Sequence, residues 1–197
     1  MTLRKTNDFL TITIVVLGLY IALSPFFPIL GFWLRDKSPS TIAPYAGALA
    51  NNAGNDNPSP PPDDNRLVIP TIGINEPIKE SSSIAAIANG GTWRRPNSAA
   101  PPDVDNTVIV GHRFYGADTS TFYNLDKVAI GDQLAVYWDK EELIYEVVET
   151  KVVDPTEVEI EASTNDRRLT IYTCTPVWTA TNRLVIVAKP VEKEAES

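Results

Sequence analysis

The chain is poor in the residues that most chemistry relies on: it has one cysteine, one histidine and one methionine in 197 residues. A lone cysteine cannot close an internal disulfide, so a disulfide scaffold is excluded. One histidine and one cysteine are too few for an ordinary zinc site unless carboxylates complete it. Positive charge is also scarce, with 17 Lys+Arg against 25 Asp+Glu and a net charge of -8. Nucleic-acid binders carry a basic patch or stripe, and none is visible, so DNA and RNA are poor partners. No internal repeat is present. No dense run of oxygen ligands marks a calcium loop, and a solvated acidic face is the better reading of the many carboxylates. No cofactor is therefore expected, with calcium left open.

What the chain does have is a clear division into segments. Residues 1–8 form a short polar N-terminus containing Arg4 and Lys5. From Phe9 to Leu34 there is no charged residue, and the run is rich in Ile, Val, Leu and Phe. A bilayer core needs about 20 apolar residues as helix. The run is too long for the apolar region of a cleaved signal peptide, about 7–15 residues, so residues 9–34 are expected to be one transmembrane helix. Arg4 and Lys5 on one side balance Arg35 and Lys37 on the other, so charge alone does not orient the span.

Residues 35–65 follow as a tether. From Asn51 to Asn65 every residue is Asn, Ala, Gly, Asp, Pro or Ser, a composition that cannot repay chain ordering by burial. The prolines between Pro58 and Pro62 favour extended geometry. The body spans residues 66–190, and residues 191–197 form an acidic tail. Within the body, Arg66–Pro70, Ile72–Ile74, Thr107–Val110, Gln133–Trp138, Leu143–Val153, Arg168–Cys174 and Arg183–Lys189 read as short strands. Ser83–Asn89 reads as a short helix capped by Ser and ended by Gly90-Gly91, and Thr121–Leu125 as a helical turn. A mainly β body with short strands at regular spacing suggests a closed or nearly closed barrel.

The scarce residues fall at telling places. Cys174 ends the apolar, β-branched strand Leu169-Thr-Ile-Tyr-Thr-Cys174 and precedes Thr175-Pro176. A free cysteine is often only a small buried hydrophobe. His112 ends Asn106-Thr-Val-Ile-Val-Gly-His112, with Gly111 admitting close approach or a positive φ. A cysteine nucleophile needs a positioned base or cation to raise its thiolate fraction. The sole Cys and the sole His at core strand ends make that pairing worth more than either part. Arg183 opens the last strand, where a fixed cation could stabilise an oxyanion; taken alone, it reads equally well as a solvated charge.

Together these segments resemble the sortase family. Thr170-Ile-Tyr-Thr-Cys174 resembles the sortase signature Thr-Leu-x-Thr-Cys, with an Arg at the start of the next strand. Asn106–Arg113 resembles the family's Gly-His strand. Leu67-Val-Ile-Pro-Thr-Ile-Gly-Ile74 with Pro77-Ile78, Gly90-Gly-Thr-Trp93 with Pro96-Asn-Ser98, and Thr121-Phe-Tyr-Asn-Leu125 with Gly131-Asp132 resemble the flanking segments in the right order. The resemblance implies an eight-stranded sortase-type β-barrel and a Cys174–His112–Arg183 active site. It also implies a cytoplasmic N-terminus with the catalytic domain outside the cell. The implied activity is a cysteine transpeptidase that cleaves a Leu-Pro-x-Thr-Gly-like signal through a thioacyl intermediate. Its implied partners are surface proteins bearing a C-terminal sorting signal and an amine acceptor on a cell-wall precursor or pilin. The Asp-Pro-aromatic lid motif of some pilin-building sortases is not found between Ser38 and Asn65, and the loop Asp154–Asp166 is expected to shape the pocket. Two other readings stay open: a catalytically silent, membrane-tethered β-module that binds surface proteins, and another peptidoglycan cysteine enzyme. The residues Tyr172-Thr173 before Cys174 count against the Ser-x-Gly-Cys run of the latter.

Overall fold

The computed structural model describes residues 11–20, 62–114 and 121–191. The chain divides into two compact units, residues 1–38 and 39–197. In the first, residues 11–20 are helical with exposed side chains. No helix among the described residues is long and apolar enough to cross a membrane. The rest of the expected span at 9–34, most of the tether, most of the segment Ser38–Asn65 without a lid motif and nearly all of the acidic tail lie outside the described residues.

In the second unit eight strands close into a barrel. They are β1 (Arg66–Ile69), β2 (Ile74–Glu80), β3 (Thr92–Arg94), β4 (Asn106–Val110), β5 (Gln133–Trp138), β6 (Glu141–Val153), β7 (Arg168–Thr175) and β8 (Asn182–Pro190). Around the barrel the order is β1-β2-β3-β4-β7-β8-β6-β5. The contacts β2–β3 and β4–β7 are parallel, and the others are antiparallel. Closure leaves no unpaired edge strand.

Local chemistry explains the strand boundaries. Pro70 ends β1 by opening a single 3-10 turn, and Gly73 leaves that turn in the left-handed region at φ 69°. Ile72 therefore belongs to the turn rather than to a strand, and the second strand begins at Ile74 and runs on through Pro77 to Glu80. The short helix expected at Ser83–Asn89 is a 3-10 turn, Ile84–Ile87, whose Ser83 side chain accepts from the Ala85 N–H. Asp139 and Lys140, at φ 49° and 70°, form the two-residue turn between β5 and β6.

Side-chain alternation decides which face is which. Leu67, Ile69, Ile109, Leu134, Val136, Leu169, Ile171 and Ile186 fill the main core. On the opposite face of β4, Val108 and Val110 are buried against Ile87 and Trp93. Because β4 is covered on both sides, Asn106–Val110 is buried at every position, which is why Val108–Val110 reads as an unbroken apolar run.

Gly111 follows β4 with no positive φ. Its role is close approach: a Cβ there would stand 2.6 Å from the fully buried Phe122 ring. Gly111→Ala is expected to cost about 1–3 kcal/mol through overpacking, read as a lower urea midpoint at unchanged slope. An unchanged midpoint would show that the ring relaxes freely.

Candidate active site

Three strands bring the scarce residues together. In the antiparallel β7–β8 ladder Cys174 stands directly opposite Arg183. Directly opposed residues share a face, with Cβ atoms about 4.5–5.5 Å apart. On the other side of β7, parallel pairing sets Val110 beside Tyr172. Two residues further on along each chain are His112 and Cys174. Alternation puts Leu169 and Ile171 into the core. It turns Thr170, Tyr172 and Cys174 to the outer face.

On that face lies an open cleft of about 390 Å³, lined by Cys174, His112 and Arg183 together with Trp93, Arg95 and Tyr172, and rimmed by Ser82–Ile84. Cys174 is a free, half-buried thiol. Burial holds the His112 pKa below its usual value, because a desolvated imidazolium is disfavoured. Arg183 spends Nη1 on the carbonyls of Ala180 and Asn182, at 3.3 and 3.1 Å. Its other nitrogens are given no protein partner among the described residues.

Two hydrogen-bonded networks hold this arrangement. In the first, the buried Thr173 hydroxyl donates to the Gly111 carbonyl at 2.8 Å, joining the residue before Cys174 to the residue before His112. Beside it Arg113, 7% exposed, donates from Nη1 to the Thr175 hydroxyl at 2.8 Å and pairs through Nη2 with Asp126 at 2.8 Å. The residues after His112 and after Cys174 are thus tied by one guanidinium. In the second, Glu161 accepts from Nε of Arg95 with both oxygens, at 3.0 and 2.9 Å, and also from the Tyr172 hydroxyl. Burial first, and then this bond to a carboxylate, push the Tyr172 pKa well above its ordinary value, so it stays a donor. The loop between β6 and β7 is anchored further by Asn106, whose amide donates to the carbonyls of Ile160 and Ala162. It reaches the cleft through Glu161, which grips Arg95 and Tyr172; the lining side chains themselves come from the strands and their ends and from Ser82–Ile84 at the start of the 3-10 turn.

The structure therefore gathers all three residues singled out in the sequence. Arg95, Glu161, Arg113 and Asp126 were not singled out. Arg113 and Arg95 had a faint signal, being arginines beside His112 and Trp93 in an acidic chain. Glu161 and Asp126 had none, since their roles depend on partners 66 and 13 positions away.

Comparison with known proteins identifies the family of the barrel. The family profile described as the sortase domain matches residues 67–191. The chain belongs to the sortase family. It is 29% identical over 125 residues to sortase A of Listeria monocytogenes, covering 62% of this chain and 54% of that protein. It is 32% identical over 130 residues to sortase D of Bacillus subtilis, covering 64% and 62%. The similarity thus spans less than two thirds of either relative. Among solved structures, sortase C2 of Group B Streptococcus Pilus Island 1 superposes with a TM-score of 0.60 at 29% identity, covering 65% of this chain and 73% of that one. The mainly β, closed eight-stranded barrel is thus the sortase fold.

Two measurements follow from the site's electrostatics. Asp126→Ala leaves the buried Arg113 guanidinium, whose Nε already lacks a partner among the described residues, without its carboxylate. It is expected to cost about 1–3 kcal/mol, against near zero for the exposed Lys127→Ala; equal urea midpoints for the two variants would contradict this. For His112 the folded pKa is depressed, so its contribution to stability is complete above the unfolded value of about 6.5. It is lost as pH falls through the lowered folded value. Denaturation midpoints should decline as pH falls below about 6.5, and His112→Gln should flatten the decline.

Proposed function

We propose that this sortase is a cysteine transpeptidase that uses Cys174 as nucleophile, His112 as acid and base, and Arg183 as oxyanion clamp. The observation that carries the reading is the Cys174–Arg183 pairing in one ladder, with the His112 strand alongside and all three side chains on one cleft.

In the proposed cycle the Cys174 thiolate attacks the Thr carbonyl of a Leu-Pro-x-Thr-Gly-like signal, forming an S–C bond. Arg183 donates to the developing oxyanion, an interaction that strengthens as charge builds. The C–N bond then breaks, and the leaving Gly amine takes its proton from His112. An acceptor amine attacks the thioester, His112 removes its proton, and the thiolate departs with the acyl group now in amide linkage. Substrates are surface proteins carrying such a signal, and the acceptor is an amine on a cell-wall precursor or pilin. An anchor at residues 9–34, with the N-terminus cytoplasmic and the barrel outside the cell, would hold enzyme and substrate on the same membrane.

The cycle needs thiolate and imidazolium at once. A lowered His112 pKa makes the imidazolium scarce near neutrality, so the competent form is a minority of molecules and turnover is slow. The acid limb of the kcat/KM profile is expected below pH ~6.5, and a limb at or above that value would contradict the burial effect.

The direct test incubates the full chain with a Leu-Pro-x-Thr-Gly peptide and oligoglycine and follows products by mass spectrometry. The expected result is a thioacyl adduct on Cys174 and a ligated product, both absent from Cys174→Ala. Arg183→Ala should lower kcat by about 10²–10³. A folded protein with a free thiol that yields no adduct across a panel of signal peptides would sink the reading.

A further inference from the structure

The cleft reverses the charge of the molecule. The chain carries a net charge of -8, yet its lining includes two arginines, Arg95 and Arg183, and no carboxylate. A cleft lined by one sign of charge concentrates ligands of the other sign. Arg183 is assigned to the reacting carbonyl, opposite Cys174. Arg95 has no part in that chemistry and is nevertheless held with care.

Three contacts fix Arg95. Its backbone N–H donates to the Val108 carbonyl at 2.9 Å. Its guanidinium lies over the Trp93 ring, 5.1 Å from the centroid. Glu161 takes Nε with both carboxylate oxygens and is itself steadied by the Tyr172 hydroxyl. Both Nη groups of Arg95 are left without a protein partner among the described residues. The side chain remains 35% exposed. A guanidinium immobilised at Nε, with its Nη donors presented to a peptide-binding cleft, suits a planar carboxylate.

The register gives the distance along the peptide. Arg95 is anchored beside Val108, four residues before His112 on the same run. At about 3.3 Å per extended residue this is roughly 13 Å from the level of the reacting groups. Allowing for the length of the arginine side chain, an extended peptide places a residue two to five positions from the scissile bond near the guanidinium. In a Leu-Pro-x-Thr-Gly-like signal, the variable residue and the residue preceding Leu fall in that range on the acyl side.

We infer that Arg95 is a specificity-determining residue that selects sorting signals bearing a carboxylate on the acyl side of the scissile bond, with Glu161 as the positioning residue that aims it. The inference rests on the transpeptidase reading for the identity of the peptide, and the test separates the two. Peptides carrying Glu, Gln or Lys at the variable position, and separately before Leu, are compared with the full chain for turnover. The same set is compared with Cys174→Ala for binding by fluorescence anisotropy. The expected result is an advantage of Glu over Gln of about five- to tenfold in kcat/KM at one of the two positions. It should be carried mainly by KM, be larger against Lys, and shrink as salt is raised. In Arg95→Gln the discrimination should fall within twofold, and Arg95→Lys should recover part of it. Glu161→Gln should weaken it while leaving Gln-peptide turnover less affected.

Equal kinetics for the Glu and Gln peptides at both positions would overturn the inference and leave the transpeptidase standing. A Glu preference that survives in folded Arg95→Gln, verified by circular dichroism, would also overturn it. Glu-selective binding by Cys174→Ala with no turnover of any peptide by the native chain would overturn the transpeptidase and uphold the anion site. Neither binding nor turnover would overturn both.

Discussion

The arrangement depends on the parallel pairing of β4 with β7. Five consecutive residue pairs, from Asn106 with Arg168 to Val110 with Tyr172, fix the two strands in register. They run in the same direction, and β7 continues to Thr175 past the end of β4 at Val110, so Cys174 near the end of β7 and His112 just after β4 emerge side by side. Parallel strands cannot be joined by a tight turn. The long excursion from Gly111 to Asp166, which carries β5, β6 and the Glu161 loop, is the connection this pairing demands. A one-residue slip would turn Cys174 into the barrel and Thr173 out to the cleft. The Thr173–Gly111 and Thr170–Asn106 hydrogen bonds, both buried at 2.8 Å, act against such a slip.

Electrostatic compensation is the second organising feature. The structure keeps several cations close to the nucleophile in a chain that is acidic overall. Arg113 is paired with Asp126, and Arg95 is held through Nε by Glu161. Both carboxylates lie on segments outside β4 and β7. Each ion pair therefore does structural work as well, drawing the residues after β4 and the β6–β7 loop toward the site. His112 is subject to the opposite pressure, since the burial that shields the cleft disfavours its charged form.

Legibility from sequence followed how local each signal was. Gln133–Trp138 and Arg168–Cys174 were visible as strands because their β-branched and aromatic residues are dense and alternate. Thr92–Arg94 was not, being three residues whose strand character comes from pairing with Lys79 and Val110. The second strand reads from sequence only as far as Ile74, whereas it begins there and runs through Pro77, paired with Arg66, to Glu80. Gly111 suggested either a positive φ or a close approach, and only the Phe122 ring distinguishes them.

By itself the sequence determined which residues were available for chemistry. With one cysteine and one histidine there was a single candidate for each role, and strand-end positions marked both as placed rather than incidental. It also determined the mainly β body, through short-range alternation that needs no partner to be recognised. Tertiary structure decided what depends on residues far apart in the chain. Strand order and register set Arg183 opposite Cys174, and the ion pairs of Arg95 and Arg113 close across 66 and 13 residues. The reason is physical: periodicity is written into neighbouring residues, whereas a charge or hydrogen-bond partner is specified only once the barrel has closed.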